Sequence, residues 1–252
     1  MDGYSNDLEM ALVAGARDEA ARPRFYETLL KSKVLLAYAG EAPQDVADGV
    51  VQRDTKLSLP TVEINGIPHV PFYSSEARMP KGQQYVSMLA VDFLRMTVGS
   101  HLALNPGSDY GKAFLPQETA SLLDGSLFRP SQAMTAKGGE RQLIGQPKDY
   151  PQAFADAVAR YLALEPAVEQ AFLAQHFIAG MHTMPALLVA IDAPETGFER
   201  IAGAIGVIAK DTRKAEGAVD VTRVQAGSLG YFANQQPFYR RKKKSFLTKL
   251  FG

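Results

Sequence analysis

The chain contains no cysteine. That excludes disulfides, thiolate metal sites, cysteine nucleophiles and persulfide carriers, and with them thiol proteolysis, thioredoxin-like redox chemistry and cysteine-based sulfur transfer. No stretch approaches the roughly 20 apolar residues that a membrane span needs. The longest apolar runs, such as Met184 to Ile191, have the length of a buried strand. Residues 1–20, MDGYSNDLEMALVAGARDEA, carry early acids and no sustained apolar run, so they do not read as a secretory signal, and the expected location is cytoplasmic. No G-x-S-x-G elbow occurs.

An excess of either charge is also missing, with 27 basic and 27 acidic residues, but the balance hides an asymmetry. The last stretch, Pro237 to Gly252, reads PFYRRKKKSFLTKLFG, with six cations (Arg240, Arg241, Lys242, Lys243, Lys244, Lys249) and no acid. Everything before Arg240 therefore has 21 basic against 27 acidic residues, a net charge of −6 beside a tail of +6. A concentrated cation next to Phe246, Leu247, Leu250 and Phe251 suits an anionic contact: lipid, nucleic acid or an acidic protein face. At 252 residues, 46% hydrophobic and 21% charged, the remainder reads as a soluble globular protein of two domains.

Asn6 and Glu9 have the spacing of a capping pair, and Leu8, Ala11, Leu12 and Gly15 share one helical face. A second helix opens near Pro23 and buries Phe25, Tyr26, Leu29 and Leu30. Val34 to Ala39 has strand length. Asn65-Gly66, between Val62/Ile64 and Ile67/Val70/Phe72, is a hairpin signal, while Pro60, Pro68 and Pro71 push those strands toward an edge or toward bulges. Tyr85 to Met88 and Leu102 to Leu104 are strand-like, and Leu89, Phe93 and Met96 suit a short helix ended by Gly99. Pro116 to Leu123 reads as a helix stopped at Gly125. From Gly125 to Pro147 the composition shifts to Gly, Ser, Pro and Lys, as in a linker.

Beyond it, a short strand ending at Ile144 precedes a helix opened by Asp149 and Pro151, which buries Phe154, Ala157, Val158, Tyr161 and Leu162. Val168–Ile178 and Pro185–Asp192 read as strands. Thr196 and Glu199 have capping-box spacing ahead of Phe198, Ile201, Ala202, Ile205 and Ile208, and Val219–Val224 alternates. The expectation is an α+β protein. A mixed α/β sheet domain spans 1–125, a linker 126–147, a ferredoxin-like βαββαβ domain 148–236, and a basic amphipathic tail 237–252.

Taken together, RPRFYETLLKS, VPFYSSEARM, LALNPGSDYGKAFLPQETASLLDG, the YP-initiated helix and the late PFYRR resemble the enhanced serine sensitivity proteins, the SseB family, over about residues 6 to 241. The resemblance implies a bacterial, cytosolic, two-domain protein linked to a serine-related phenotype and to no assigned reaction.

The loop Asn105-Pro106-Gly107-Ser108-Asp109-Tyr110-Gly111-Lys112 has some parts of a phosphate loop. Its spacing is wrong: three residues intervene between Gly107 and Gly111-Lys112, Ala113 follows, Pro106 removes a donor and Asp109 adds a negative charge. A structural turn or a partner-binding loop fits better. Phe72-Tyr73-Ser74-Ser75-Glu76 ends a strand and opens a short helix, with Ser75 as N-cap, Glu76 at its first position and the aromatics as an exposed binding surface. The candidate binding residues are therefore Phe72, Tyr73, Ser75, Glu76, Asn105, Gly107, Tyr110 and Lys112, with no catalytic residue among them.

His176 and His182, six apart, match no common zinc spacing, and His69 and His101 add none, so neither metal nor cofactor is expected. The tail has three readings. It can contact an anionic membrane through Arg240, Arg241, Lys242, Lys243, Lys244, Phe246 and Phe251. It can neutralise nucleic acid, which an acidic body disfavours. Or it can stay solvated or fold back on that body. The reading adopted is a non-enzymatic adaptor or regulator with an unidentified protein partner. A metabolite-binding protein or enzyme, or an immunity-like partner-binding module, is the alternative.

Overall fold

The computed structural model describes residues 6–38, 46–47, 50–51, 58–128, 142–178, 183–213, 217–224 and 229–242, with 46–47 and 50–51 as backbone only. The protein is α+β and forms two compact units, Met1–Leu127 and Phe128–Gly252.

In the first unit, α1 (Asp7–Arg17) starts where the Asn6 side chain accepts the Glu9 N–H at 3.0 Å, and it buries Leu8, Ala11, Leu12 and Gly15 as the spacing predicts. Helix α2 (Arg22–Lys31) carries Pro23 in its first turn and buries Phe25, Tyr26 and Leu29, leaving Leu30 half-exposed. Strands β1 (Lys33–Ala37), β2 (Val46–Ala47), β3 (Val50–Val51) and β6 (Tyr85–Leu89) make one sheet in the order β1-β6-β3-β2. A second sheet, β4-β5-β7-β8, is built from Val62–Ile64, Ile67–Phe72, Leu102–Leu104 and Lys112–Phe114. An antiparallel bridge, Leu35 to Tyr73, joins them. Helices α3 (Ala90–Met96) and α4 (Pro116–Leu123) complete the unit.

The Asn65-Gly66 hairpin forms, with both residues at positive φ (52° and 77°), the geometry that Asn and Gly tolerate best. β5 is an inner strand by order, yet each of its halves is paired with one neighbour. β4 pairs only Ile67–His69 and β7 only Val70–Phe72. Pro68 stands opposite Glu63, in the wide pair between two hydrogen-bonded ones, where no donor is needed. Val70 N–H and Phe72 C=O bond toward β7, so the nitrogen of Pro71 faces away. Helix α3 also departs from expectation: Leu89 and Met96 are exposed, and Ala90, Phe93 and Leu94 are the buried residues. Phe93 and Phe114 pack on Phe72, with ring centroids at 5.0 and 5.9 Å, at the centre of the core.

In the second unit, β9 (Gln142–Gly145), α5 (Gln152–Ala163), β10 (Gln170–Ile178), β11 (Ala186–Asp192), α6 (Phe198–Thr212) and β12 (Val219–Val224) follow the βαββαβ order. Helix α5 buries the five residues that its periodicity selects. The strand order is another matter. β11 and β12 are direct parallel neighbours, β10 and β11 are antiparallel, and the far edge of β10 is shared by β9 along Gln175–Ile178 and by β13 (Tyr239–Arg240) along Gln170–Ala171. A split βαβ would place a strand between the parallel pair. Here β9 returns antiparallel on β10, so nothing separates β11 from β12, and the ferredoxin-like arrangement is not what forms.

The Thr196–Glu199 capping box is also absent, because Gly197, at φ 84°, takes the N-cap position and has no side chain to accept with. One face of the sheet buries Phe172, Ala174, Leu188 and Ala190 against Phe232 of the 3₁₀ segment Gly230–Asn234. Within α6, Gly203 is where the chain at Phe128 crosses: a Cβ there would lie 1.6 Å from Phe128 O.

Candidate functional site

Glu9 lies on α1 between Leu8 and the buried Leu12 and Val13, and is itself only 2% exposed. A carboxylate taken out of water costs several kcal/mol unless donors replace the lost hydration. Three do. Ser74 Oγ (2.9 Å) and Ser75 Oγ (2.6 Å) donate to Oε1, and Arg78 Nη2 donates to Oε2 at 3.3 Å. Asn105 closes the cluster, its Nδ2 donating to Ser74 Oγ (2.8 Å) and its Oδ1 accepting the Ser74 N–H (2.9 Å). Asn6 Nδ2 donates to Ser74 O at 2.8 Å, so one side chain both caps α1 and holds the turn beneath it.

The backbone explains the residue types. Asn105 is 1% exposed at φ 50°, a left-handed position that asparagine accepts, and its N–H bonds Phe72 O at 2.9 Å. A Cβ at Gly111 would lie 2.8 Å from Asn105 O, so the loop closes only over glycine. Gly107 sits exposed at φ 78°. Asn105 thus ties the start of the loop to Ser74 and to Phe72.

Lys112 Nζ reaches Glu118 Oε1 at 2.9 Å and stands 4.8 Å from the centroid of the Phe114 ring. Tyr26 donates to the same carboxylate oxygen at 2.7 Å. Arg17 donates to the Tyr110 hydroxyl at 2.7 Å, with its guanidinium 5.5 Å from that ring's centroid. Phe72 and Tyr73 are core residues, 0% and 3% exposed, which corrects the expectation of an exposed aromatic surface. Burial pushes the Tyr73 phenol above its ordinary value. Ser75 holds the N-cap position of the 3₁₀ turn Glu76–Arg78 without a capping bond, because its hydroxyl is turned to Glu9. Glu76 is exposed and accepts from Tyr85 Oη, an interaction that raises the phenol's pKa.

Sequence reasoning picked out Ser75, Asn105 and Lys112 and missed the partners that define them: Glu9, Arg78, Tyr26 and Glu118. One signal was present, an acid at Glu9 inside an otherwise apolar helical stripe with Val13 four residues on.

In the second unit, His176 Nε2 and Asp220 Oδ2 are 2.6 Å apart on β10 and β12. Arg200 engages Glu165 through two hydrogen bonds, and this holds the carboxyl below its usual range. Arg241 continues β13: its N–H donates to Glu169 O and its Nε to Val168 O, both at 2.8 Å, and its terminal nitrogen donates to Glu165 O. Arg240 and Lys242 are exposed. Lys243, Lys244, Phe246 and Phe251 lie outside the described residues, as does His182. Among the described residues no three potential metal ligands converge, and no helix is long and apolar enough to cross a membrane.

The family model for the SseB protein N-terminal domain matches residues 8–121, and that for the SseB protein C-terminal domain matches residues 136–241. Protein SseB of Escherichia coli (strain K12) is 31% identical over 257 aligned positions, covering 98% of this chain and 96% of its own. Protein SseB of Shigella flexneri matches to the same extent. No solved structure matches the chain.

Proposed function

The chain belongs to the SseB family, and on that premise we propose that it is a non-enzymatic cytosolic adaptor that brings a protein partner to an anionic membrane surface through its basic C-terminal segment. The observation that carries this reading is the pair of exposed cations Arg240 and Lys242, where the chain leaves the edge of a folded sheet and enters the run Lys242–Lys244. Each Lys or Arg near an anionic surface contributes roughly 1 kcal/mol before screening, so a cluster of this size suffices for reversible attachment.

The reactive-looking side chains of the first unit support an adaptor over a catalyst. Ser75 donates to Glu9, a carboxylate already paired with Arg78, and the Lys112 ammonium is paired with Glu118. A serine nucleophile needs a base that can take its proton and an oxyanion pocket. An ion-paired carboxylate among three donors is a poor base. The serine-related phenotype in the family's name then reflects the partner's work.

Sedimentation with anionic and neutral vesicles tests the proposal. The protein should pellet with anionic vesicles at 0.1 M salt and be released at 1 M, where the Debye length falls from about 10 Å to 3 Å. No pelleting at low salt would end the membrane reading. Partner capture should be compared between the full chain and a chain stopped after Lys242, because a cut at Pro237 also removes β13.

A further inference from the structure

We infer that Arg241 takes no part in the anionic contact and is instead the residue that fixes where the tail leaves the protein. The inference rests on the proposed contact and assigns its geometry. Three hydrogen bonds hold Arg241. Its N–H extends the β13–β10 ladder to Glu169 O, and its guanidinium spans Val168 O (2.8 Å) and Glu165 O just past the end of α5. Glu165 O also accepts the Val168 N–H at 3.1 Å, so the guanidinium closes over the turn that follows the helix. A planar, forked cation fits two carbonyls at once, and a lysine ammonium at the end of a flexible chain does not hold them in the same fixed geometry. Its neighbours differ: Arg240 and Lys242 are exposed while Arg241 is half-buried, as alternation along an extended segment requires. Tail charge and tail anchorage thus fall on different residues within one tripeptide.

The full-length chain and its Lys242→Gln, Arg241→Gln and Arg241→Lys variants separate the roles. Partition onto phosphatidylserine-containing vesicles should fall about five-fold for Lys242→Gln, one cation's contribution, with the thermal midpoint unchanged. Arg241→Gln should lower the second unit's midpoint and change partition less than about two-fold. Arg241→Lys, which keeps the charge, should lose midpoint as the glutamine variant does. An Arg241→Gln protein with an unchanged midpoint and a five-fold loss of partition would overturn the assignment, as would an Arg241→Lys protein with the wild-type midpoint. Elution from heparin reads the same ranking without a membrane. If the wild type ignores vesicles yet Lys242→Gln alone elutes earlier from heparin, the membrane proposal falls and the anchor stands. Equal shifts for both glutamine variants there would sink the anchor.

Discussion

Glu9→Gln keeps the shape of the side chain, removes its charge and turns one acceptor oxygen into an N–H donor, so it tests what the buried carboxylate contributes. Hydrogen bonds to a charged group contribute about 1.5–3 kcal/mol net and neutral ones about 0.5–1.5, a difference of about 1 for each serine that still finds the amide oxygen, while Arg78 meets the amide nitrogen and loses its acceptor. Ser74 is buried, but Ser75 is half-exposed and the Arg78 side chain is 20% exposed, so part of the loss is recovered from water. The expected cost is about 2 kcal/mol, a large fraction of an ordinary domain's stability. With a urea slope of about 2 kcal/mol/M, the midpoint of the first unit should fall by about 1 M. Urea unfolding read by peptide-resolved hydrogen exchange follows the two units separately, and the second should not move. Arg95→Gln, which breaks an exposed i,i+3 pair with Asp92, serves as control and should shift nothing measurable. A Glu9→Gln midpoint within about 0.2 M of wild type would show that the cluster is tolerated without holding α1 in place.

Gly203→Ala should destabilise the second unit despite a helix-propensity gain of about 1 kcal/mol, because the new methyl meets the Phe128 backbone. Gly15→Ala, whose Cβ would find Phe25 Cβ at an ordinary 3.4 Å, should leave stability unchanged or raised, and the two midpoints measured side by side decide this. Glu165, held below its ordinary value of 4.5 by the Arg200 hydrogen bond, contributes stability that is complete above 4.5 and lost as pH falls through the lowered value. The midpoint difference between wild type and Arg200→Gln should therefore be flat from pH 8 to 5 and shrink in more acid solution. Lys112→Ala should yield a folded protein whose cellular effect follows its abundance, and a folded, abundant, inactive Lys112→Ala protein would point to a ligand at that loop.

Local signals were the legible ones. Helices α1 and α5 were visible because their buried residues repeat at helical spacing, and the β4–β5 hairpin because Asn65-Gly66 selects its turn. Strand β8 and the order of the second unit's sheet were not, since pairing joins residues far apart in the chain, and one βαββαβ order is compatible with several strand arrangements. Prolines at 68 and 71 suggested an edge or bulges. They are tolerated inside because each proline nitrogen faces away from the strand paired at that point, and this same arrangement buries Phe72 and Tyr73. The Glu9 cluster was hidden for a related reason: its partners come from 65, 66 and 69 residues downstream. Ser75 and Asn105 stood out as motif residues, but their roles were set by an acid that looked like half of a capping pair.

The charge distribution sets limits on how such a protein meets a surface. Residues 1–127 hold 16 acidic and 11 basic side chains, residues 128–239 hold 11 and 10, and residues 240–252 hold none and six. The acidity is thus concentrated in the first unit and the cations at the end of the second. An anionic surface attracts the tail and repels the first unit, but both forces fade beyond a Debye length of about 8 Å at physiological salt. Only charges within that distance count, so the proposed attachment would be governed by where the cations leave the fold. β13 and the Arg241 hydrogen bonds hold that exit to the edge of β10 that β9 also occupies. If they were undone, the cations would lie at the end of a longer loose chain and could bind while the folded unit turned freely. Under the proposed contact, cations anchored in this way would bring the β10 edge toward the surface that the tail meets, and attachment would become orientation.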